Sequence, residues 1–345
     1  MMFSEITGHD RIKQVLVGAV RSGRIGHAYI FEGIEGVGKL SVAKAFASLV
    51  MCEAPAMGEA CGVCKSCAQS KSGSHPDVRI ITNQLYDSSK KSTDILVDTI
   101  RSMKQEIYIK PYVADRKIYI IPNADTMNMY AQNSLLKVLE EPPEYCTIIL
   151  LSENSGSFLP TILSRAPILK FFPLDETEVV EYLVKNCGET DLEKLEVAAK
   201  MSEGSIGRAK SFLENEETSA LREELLGLVF GLYEGRRKSI YDLTLFLKQN
   251  KDYIDFITDV MRGLFCDLLY LKNNNKEDLL TNSDKLAKLR NMAEKLSQKT
   301  PVLLLEILFK YSDYFSKNIS YGLLVQCLSL EMWEVINDRG YRRKV

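Results

Sequence analysis

Short apolar runs alternate with amphipathic segments over the first half of the chain. The runs are rich in Val, Ile, Phe and Tyr and have the lengths of strands. We predict strands within residues 28–32, 77–81, 116–125, 146–154 and 166–174. Strands that alternate with helices along the chain are typical of a doubly wound α/β domain with a parallel sheet.

Three segments between these runs carry apolar residues at the helical period. We predict helices over residues 41–51, 93–107 and 131–141, and the last of them ends before Pro142 and Pro143. Thr93 or Asp94 is the expected N-cap of the middle helix.

The pattern changes after Pro173, where the strand-like runs stop. Residues 175–215 contain helix starts and turn signals, and residues 216–345 form long amphipathic stretches with a polar break at 271–284. We therefore predict three domains: an α/β domain over 1–170, a small helical domain over 171–215 and an all-helical domain over 216–345.

Composition and charge narrow the class of protein. The 345 residues suffice for two or three domains, and 46% hydrophobic with 26% charged residues is ordinary for a globular protein. Without a membrane-length apolar run or a signal-like segment, we expect a cytoplasmic location and no membrane partner. The net charge of −2 gives no strong footprint for nucleic acid, so any DNA contact is expected to be local or shared with partners.

The stretch "IFEGIEGVGKLSVAKAF" has the features of a phosphate-binding loop between a strand and a helix. Gly33, Gly38 and Lys39 occupy the pattern's fixed positions, and Gly36 lies between them. In such a loop, backbone N–H groups hold the phosphates and the lysine reaches the β and γ oxygens. The simpler alternative is a glycine turn without a ligand, which Lys39 and the strand–helix context make less favourable.

Three parts of a hydrolytic site are missing from this sequence. Leu40 stands where a Ser or Thr hydroxyl would bind Mg²⁺, and Ser41 is about 100° further round the helix. Pro122 and Asn123 follow the apolar residues 118–121, where an Asp-Glu pair would supply the metal ligand and the base, and Asp125 lies beyond the end of that strand. We predict that the isolated chain does not hydrolyse ATP, and the residues leave nucleotide binding open.

Four of the eight cysteines lie close together in the sequence, at Cys52, Cys61, Cys64 and Cys67. Four thiolates complete a closed tetrahedral Zn²⁺ site, so we predict a structural zinc insert over 52–67 rather than disulfides. His75 is nearby but is not needed as a ligand. An iron–sulfur cluster and four unliganded thiols are the weaker alternatives.

In combination, these residues resemble bacterial clamp-loader subunits of the AAA+ superfamily. Besides the loop and the cysteine insert, the matching segments are 26–33, 131–143, 161–171 and 203–212. Ala166 replaces the cysteine of the family's Ser-Arg-Cys element, and Arg208 is the arginine of its second sensor. The resemblance covers about the first 215 residues and implies a RecA-like AAA+ domain, a lid domain and a collar domain for oligomerisation.

The resemblance also implies a role and partners. Lacking the Ser/Thr and the Asp-Glu pair, the chain is more similar to the delta prime subunits of DNA polymerase III than to the ATP-hydrolysing gamma/tau subunits. A stator of that kind belongs to a polymerase holoenzyme and joins gamma/tau and delta subunits in a hetero-pentamer. That ring loads the sliding clamp on primer-template DNA.

For Arg165, the resemblance implies an arginine finger that reaches a neighbouring subunit's ATP site. For Arg208, it implies contact with nucleotide at this chain's own degenerate site. The alternative for Arg165 is an ordinary surface ion pair. The alternatives for the whole chain are an active gamma/tau-type ATPase, in which Ser41 or Asp125 compensates for the losses, and a zinc-dependent DNA-binding module.

Overall fold

The chain divides into two compact units. A computed structural model describes residues 1–87, 94–188, 191–273, 279–315, 317 and 319–337. The first unit comprises Met1–Tyr182 with Gly204–Gly207, and the second comprises Leu183–Glu203 with Arg208–Val345. The finer division at residues 170 and 215 stays a prediction.

The first unit contains a five-stranded sheet in which every strand pairs in parallel. The strands are β1 Ala28–Glu32, β2 Val78–Ile80, β3 Lys117–Ile121, β4 Cys146–Ser152 and β5 Ile168–Lys170. Their order across the sheet is β2-β3-β4-β1-β5. The predicted parallel α/β fold is confirmed, and each strand lies within its predicted range.

Helices cover both faces of this sheet, because alternate strand residues point to opposite sides. In β1, Tyr29 and Phe31 pack in a core with the helices over residues 10–21 and 39–51, whereas Ala28 and Ile30 pack in a second core with the helices over 97–107 and 129–140. The helices that lie wholly in this unit are α1 Asp10–Arg21, α2 Lys39–Met51, α3 Lys65–Ser72, α4 Asn83–Tyr86, α5 Val97–Ile107, α6 Met129–Glu140 and α7 Pro160–Leu163.

The helix boundaries differ a little from the sequence predictions. Helix α2 begins two residues earlier than predicted, directly after the loop. Helix α5 begins at Val97, after the predicted cap Asp94, whereas Thr93 lies outside the described residues. Helix α6 begins after Asn128, whose side chain accepts a hydrogen bond from the Ala131 N–H at 3.0 Å.

In the described residues of the second unit, every regular element is a helix. Two helices cross the unit boundary, α8 Glu176–Asn186 and α10 Ile206–Glu214. The others are α9 Leu192–Met201, α11 Glu216–Tyr233, α12 Lys238–Gln249, α13 Ile254–Asn273, α14 Leu286–Lys295, α15 Thr300–Phe315 and α16 Tyr321–Ile336. Part of the predicted polar break, residues 274–278, lies outside the described residues. Among the helices described in the two units, none has the length and apolarity required to cross a membrane.

A buried carboxylate joins the segments that precede β2 and β3. Asp77 is only 1% exposed, and it accepts backbone hydrogen bonds from Tyr112 at 2.7 Å, Val113 at 2.8 Å and Ala114 at 3.0 Å. Burial by itself raises the pKa of Asp77, but these N–H donors outweigh it and hold the pKa below its ordinary value. The ionised carboxylate therefore stabilises the amino-terminal edge of the sheet.

We expect Asp77→Asn to lower the free energy of unfolding at pH 7 by about 2 to 4 kcal/mol, because the amide cannot accept all three hydrogen bonds. The folded pKa of Asp77 lies below the unfolded one. Its stabilisation is therefore complete above about pH 4 and is lost as the pH falls through the folded pKa. Urea unfolding of both proteins at pH 7 and pH 3 measures this. A difference that does not shrink at pH 3 would contradict the assignment, and the exposed Asp115→Asn is the control.

Candidate functional site

The predicted phosphate loop joins β1 to α2, as the sequence pattern requires. Gly33 follows the end of β1, and α2 begins at Lys39. Gly38 has a φ of 112°, a conformation that residues with a side chain rarely adopt, so the turn into α2 needs glycine there. The structure thus brings Gly33, Gly36, Gly38 and Lys39 together in one turn.

The lysine of this loop lies among carboxylates. Its Nζ donates hydrogen bonds to the carbonyl oxygens of Gly33 and, at 2.9 Å, Ile34. Burial lowers the pKa of Lys39, and the carboxylates of Glu153, Asp125 and Glu35 counteract part of that decrease. Three carboxylates therefore act on the lysine that would bind phosphate.

Residues 204–207, which are distant in sequence, donate hydrogen bonds to the phosphate loop. The Ser205 hydroxyl donates to the Glu35 carbonyl at 2.8 Å, and the Gly207 N–H donates to the Gly36 carbonyl at 2.9 Å. A Cβ on Gly207 would lie 2.7 Å from the Gly36 Cα, so only glycine permits this approach. Two successive loop carbonyls thus have donors from residues 204–207.

His9 holds the next carbonyl of the loop. Its Nε2 lies 2.8 Å from the Val37 oxygen and donates to it, and its ring packs against Phe171 with centroids 4.8 Å apart. Burial lowers the pKa of His9, so its neutral form donates this hydrogen bond at pH 7. Sequence reasoning missed His9 and Ser205, because only the fold brings them to the loop.

The Mg²⁺ position at the start of α2 is occupied by an apolar side chain. Leu40 packs against the hydrophobic core that contains α1 and α2. Ser41 is the third residue of α2, so its side chain leaves the helix about 100° away from that of Leu40. Helix α2 therefore offers no hydroxyl at the position directly after the lysine.

The carboxyl end of β3 carries no acidic pair. After Pro122, Asn123 turns the chain with a φ of 48°, and Asp125 lies in the following 3-10 turn. The Asp125 carboxylate accepts the Glu153 N–H at 2.8 Å. It is thus engaged in joining this turn to the end of β4.

Strand order introduces an acid that the sequence reasoning did not weigh. Strand β4, not β3, lies directly beside β1, and Glu153 is the residue that follows it. Its carboxylate is the largest of the charges that raise the pKa of Lys39. An acid immediately after a buried strand was the available signal, but it needed the strand order to be recognised.

The structure separates Arg165 from its own loop. Parallel strands place all their carboxyl ends, and therefore the loop after β1, at one edge of the sheet. Arg165 precedes β5, whose Ile168 pairs with Ile30 of β1, so Arg165 lies towards the opposite, amino-terminal edge. The arginine therefore cannot serve the phosphate loop of its own chain.

The guanidinium of Arg165 is held at two of its nitrogens. Its Nη1 donates to the Thr161 carbonyl at 2.9 Å and to the Ser164 hydroxyl at 3.2 Å. Its Nη2 lies 3.2 Å from Glu140 Oε1, and the side chain is 35% exposed. Arg165 is thus oriented by this chain and remains accessible from outside.

Arg208 lies in the second unit, where it pairs with an acid. Its Nη1 is 3.5 Å from Glu203 Oε2, and the other oxygen of Glu203 is 2.8 Å from Arg262 Nη2. Arg262 also pairs with Asp259 at 2.8 Å. The role of Arg208 towards nucleotide stays a prediction.

The four clustered cysteines come from three local elements. Cys52 caps the end of α2, Cys61 lies in the following loop, Cys64 is the N-cap of α3 and Cys67 lies within α3. Their sulfur atoms all lie within 4.8 Å of one another, and Cys61 Sγ is 3.9 Å from Cys67 Sγ. A tetrahedron with Zn–S bonds of about 2.3 Å has edges of about 3.8 Å, so the arrangement fits a single zinc ion.

Backbone N–H groups also point at these sulfurs. Cys52 Sγ accepts the N–H of Cys61 at 3.1 Å, and Cys64 Sγ accepts that of Cys67 at 3.4 Å. Backbone donors from Val63 and Cys64 lower the pKa of Cys61 to about 6, whereas burial raises the pKa of Cys67 to about 12. A cation among the four sulfurs would favour the thiolate form of each.

The alternatives for this cluster fit less well. An iron–sulfur cluster distributes its cysteines over different iron atoms, whereas these four sulfurs surround one point. His75 is buried, its Nδ1 accepts the Asp77 N–H at 3.2 Å, and it does not belong to the thiol group. Four thiols without a nitrogen ligand therefore remain the donor set, as the sequence predicted.

Comparisons with known proteins give the chain its relatives. The family model described as "DNA polymerase III, delta subunit" matches residues 8–175. The chain is 25% identical to the delta prime subunit of DNA polymerase III from Bacillus subtilis, over 94% of this chain and 96% of that protein. It is 29% identical to the tau subunit from the same organism, over 89% of this chain and 57% of that protein.

A delta prime subunit from Pseudomonas aeruginosa is 32% identical over 52% of this chain and 53% of its own length. The chain thus spans little more than half of the tau and Pseudomonas relatives. These matches cover both subunit types, and they agree with the phosphate loop on a parallel sheet. Together, the family model and these relatives support a clamp-loader AAA+ subunit of DNA polymerase III.

Proposed function

We propose that this chain is a non-hydrolysing stator of the delta prime type in a DNA polymerase III clamp loader. It joins gamma/tau and delta subunits in a hetero-pentamer through its helical second unit, which acts as the collar. The complex loads the sliding clamp on primer-template DNA. Within it, Arg165 acts as an arginine finger at a neighbouring gamma/tau ATP site.

The observation that carries this proposal is the composition of the phosphate site. Hydrolysis requires a hydroxyl and an acid for Mg²⁺, and a group that orients water. Leu40 packs against the core at the hydroxyl position, and Pro122 and Asn123 follow β3 where the acids would be. Their combined absence supports a site that does not turn over ATP.

The electrostatics of the loop support the same conclusion. Glu153, Asp125 and Glu35 act on Lys39, so a triphosphate would meet three carboxylates and one ammonium. Without Mg²⁺ ligands, little would offset that repulsion. We therefore propose that the loop serves mainly as a structural element and that any nucleotide, with or without Arg208, is bound weakly.

The position of Arg165 supports action on another subunit. It lies towards the edge of the sheet opposite the loop, and its side chain is accessible. Planar, permanently charged guanidinium is well suited to a transferring phosphoryl group. The zinc at Cys52, Cys61, Cys64 and Cys67 is proposed to be structural, because four protein ligands leave no open coordination position.

Glu153 favours a second candidate, an active ATPase of the gamma/tau type. Its carboxylate interacts with Lys39 and lies at the carboxyl end of the strand beside β1. It is therefore the acid best placed to replace the missing ones. A measurement of ATP hydrolysis by the isolated chain distinguishes the two candidates.

We expect the isolated chain to show no ATP hydrolysis above background, because the metal and water positions lack their ligands. The measurement is steady-state phosphate release with Mg²⁺, beside a gamma/tau subunit of the same organism as positive control. Lys39→Ala and Glu153→Gln should leave the signal unchanged. Turnover that either substitution abolishes would replace the stator proposal with the active ATPase.

A further inference from the structure

Glu140 holds the guanidinium of Arg165 from a separate helix. It is the last residue of α6, whereas Arg165 follows α7, and Glu140 Oε1 is 3.2 Å from Arg165 Nη2. We infer that Glu140 is a positioning residue that orients Arg165 for the neighbouring ATP site. This inference rests on the proposed finger role of Arg165.

The contacts on Arg165 divide its nitrogens into two sets. Nη1 is engaged by Thr161 and Ser164, both within four residues of Arg165. The ion pair with Glu140 is the contact that comes from a distant part of the sequence. Nη2 is the nitrogen that faces Glu140, and among the described residues Nε donates no hydrogen bond, so the Nε–H group remains available for a phosphate oxygen.

The geometry determines how such a contact acts. An arginine side chain has several rotatable bonds, and fixing it at the moment of reaction is entropically unfavourable. Local contacts alone hold one side of the guanidinium and leave it free to pivot. A second contact from α6 fixes the orientation of the guanidinium before the reaction. Because less freedom is then lost in the transition state, this contact favours the reaction.

A preorganising role predicts a specific kinetic effect. In the complex reconstituted with gamma/tau, delta, the sliding clamp and primed DNA, Glu140→Ala should lower the kcat of ATP hydrolysis about three- to tenfold at the site that receives Arg165. The KM for ATP should stay within about twofold, because the ATP-binding residues belong to the other subunit. Glu140→Gln keeps an acceptor oxygen at the same distance and should restore most of the rate.

Glu141→Ala is the matched control. It removes the same charge from the adjacent residue, whose exposed side chain makes no ion pair within the part of the chain that the structure describes. The complex with Glu141→Ala should hydrolyse ATP at the same rate as the complex with the unsubstituted chain. The double variant Glu140→Ala/Arg165→Ala should be no slower than Arg165→Ala, because Glu140 acts only through the arginine.

The outcomes separate this inference from the proposed function. If Arg165→Ala slows ATP hydrolysis but Glu140→Ala leaves the rate unchanged or raises it, the positioning role of Glu140 is wrong. The finger role of Arg165 then stands. A loss of rate shared equally by Glu141→Ala would likewise overturn the role of Glu140. If Arg165→Ala has no effect, the finger role fails and the inference fails with it. Gel filtration of each complex excludes loss of assembly as the cause.

Discussion

Arg165→Ala is expected to slow ATP hydrolysis at the neighbouring gamma/tau site by on the order of a thousandfold, the lower end of the effect of an arginine finger. The reason is electrostatic. The transferring phosphoryl group spreads negative charge over its oxygens, and a preorganised guanidinium in a site without bulk water stabilises that charge. In the proposed arrangement, the rest of the site belongs to the neighbouring subunit, so the substitution leaves it intact.

Single-turnover hydrolysis in the reconstituted complex is the appropriate measurement, because it resolves one slow site among active ones. Assembly should be unaffected, since the exposed ion pair of Arg165 with Glu140 contributes little stability. Arg165→Lys keeps the charge but loses the planar fork, so it should recover only part of the rate.

Arg101→Ala is a matched control for this experiment. Arg101 is also in a surface ion pair, with Asp98 at 3.3 Å, and it lies in the same unit. It should leave the rate unchanged. Equal rates for Arg165→Ala and the unsubstituted chain would remove the finger role and leave the arginine as an ordinary surface ion pair.

Cys67→Ser is expected to abolish binding of the single zinc ion and to unfold the segment over residues 52–67. Cys67 is the buried member of the thiol group and the ligand within α3. Structural zinc sites supply on the order of 10 kcal/mol of binding free energy, which is also folding free energy for the bound segment. A hydroxyl does not replace a thiolate in such a site.

Elemental analysis and limited proteolysis test this expectation. The purified chain should contain about one equivalent of zinc, and Cys67→Ser should contain none and be cleaved within the insert. Cys327 lies on α16 and outside the thiol group, so Cys327→Ser should keep both the zinc and the resistance to proteolysis. Iron with acid-labile sulfide in the purified chain would show that an iron–sulfur cluster is present in place of zinc. A metal-free chain that still resists proteolysis would contradict both the zinc site and the cluster.

The sheet was largely predictable because the chain's local pattern carries the information. Runs such as "CTIILLS" are apolar on both sides, as strands covered on both faces of a parallel sheet must be. The strand within 116–125 ends at Ile121, because Pro122 and the left-handed Asn123 stop it there. Strand ends depend on such single residues, and the apolar pattern does not register them.

The contacts of Arg165 and of the phosphate loop were not predictable from the local pattern. Glu140 meets Arg165, and Ser205 meets Glu35, across long stretches of sequence. No periodicity links residues so far apart. Glu153 was visible as an acid after a strand, but its relevance to Lys39 required β4 to lie beside β1.

The sequence by itself determined which chemistry this protein has available. A hydroxyl and an acidic pair are absent from the phosphate site, and four thiols occur at ligand spacing, because residue types and short spacings are local properties. Only the tertiary structure decided where these groups can act. A parallel sheet sends every carboxyl end to one edge, so the loop and Arg165 lie towards opposite edges and cannot meet within one chain. The folding of α2 and α3 against one another likewise turned four separate cysteines into one site.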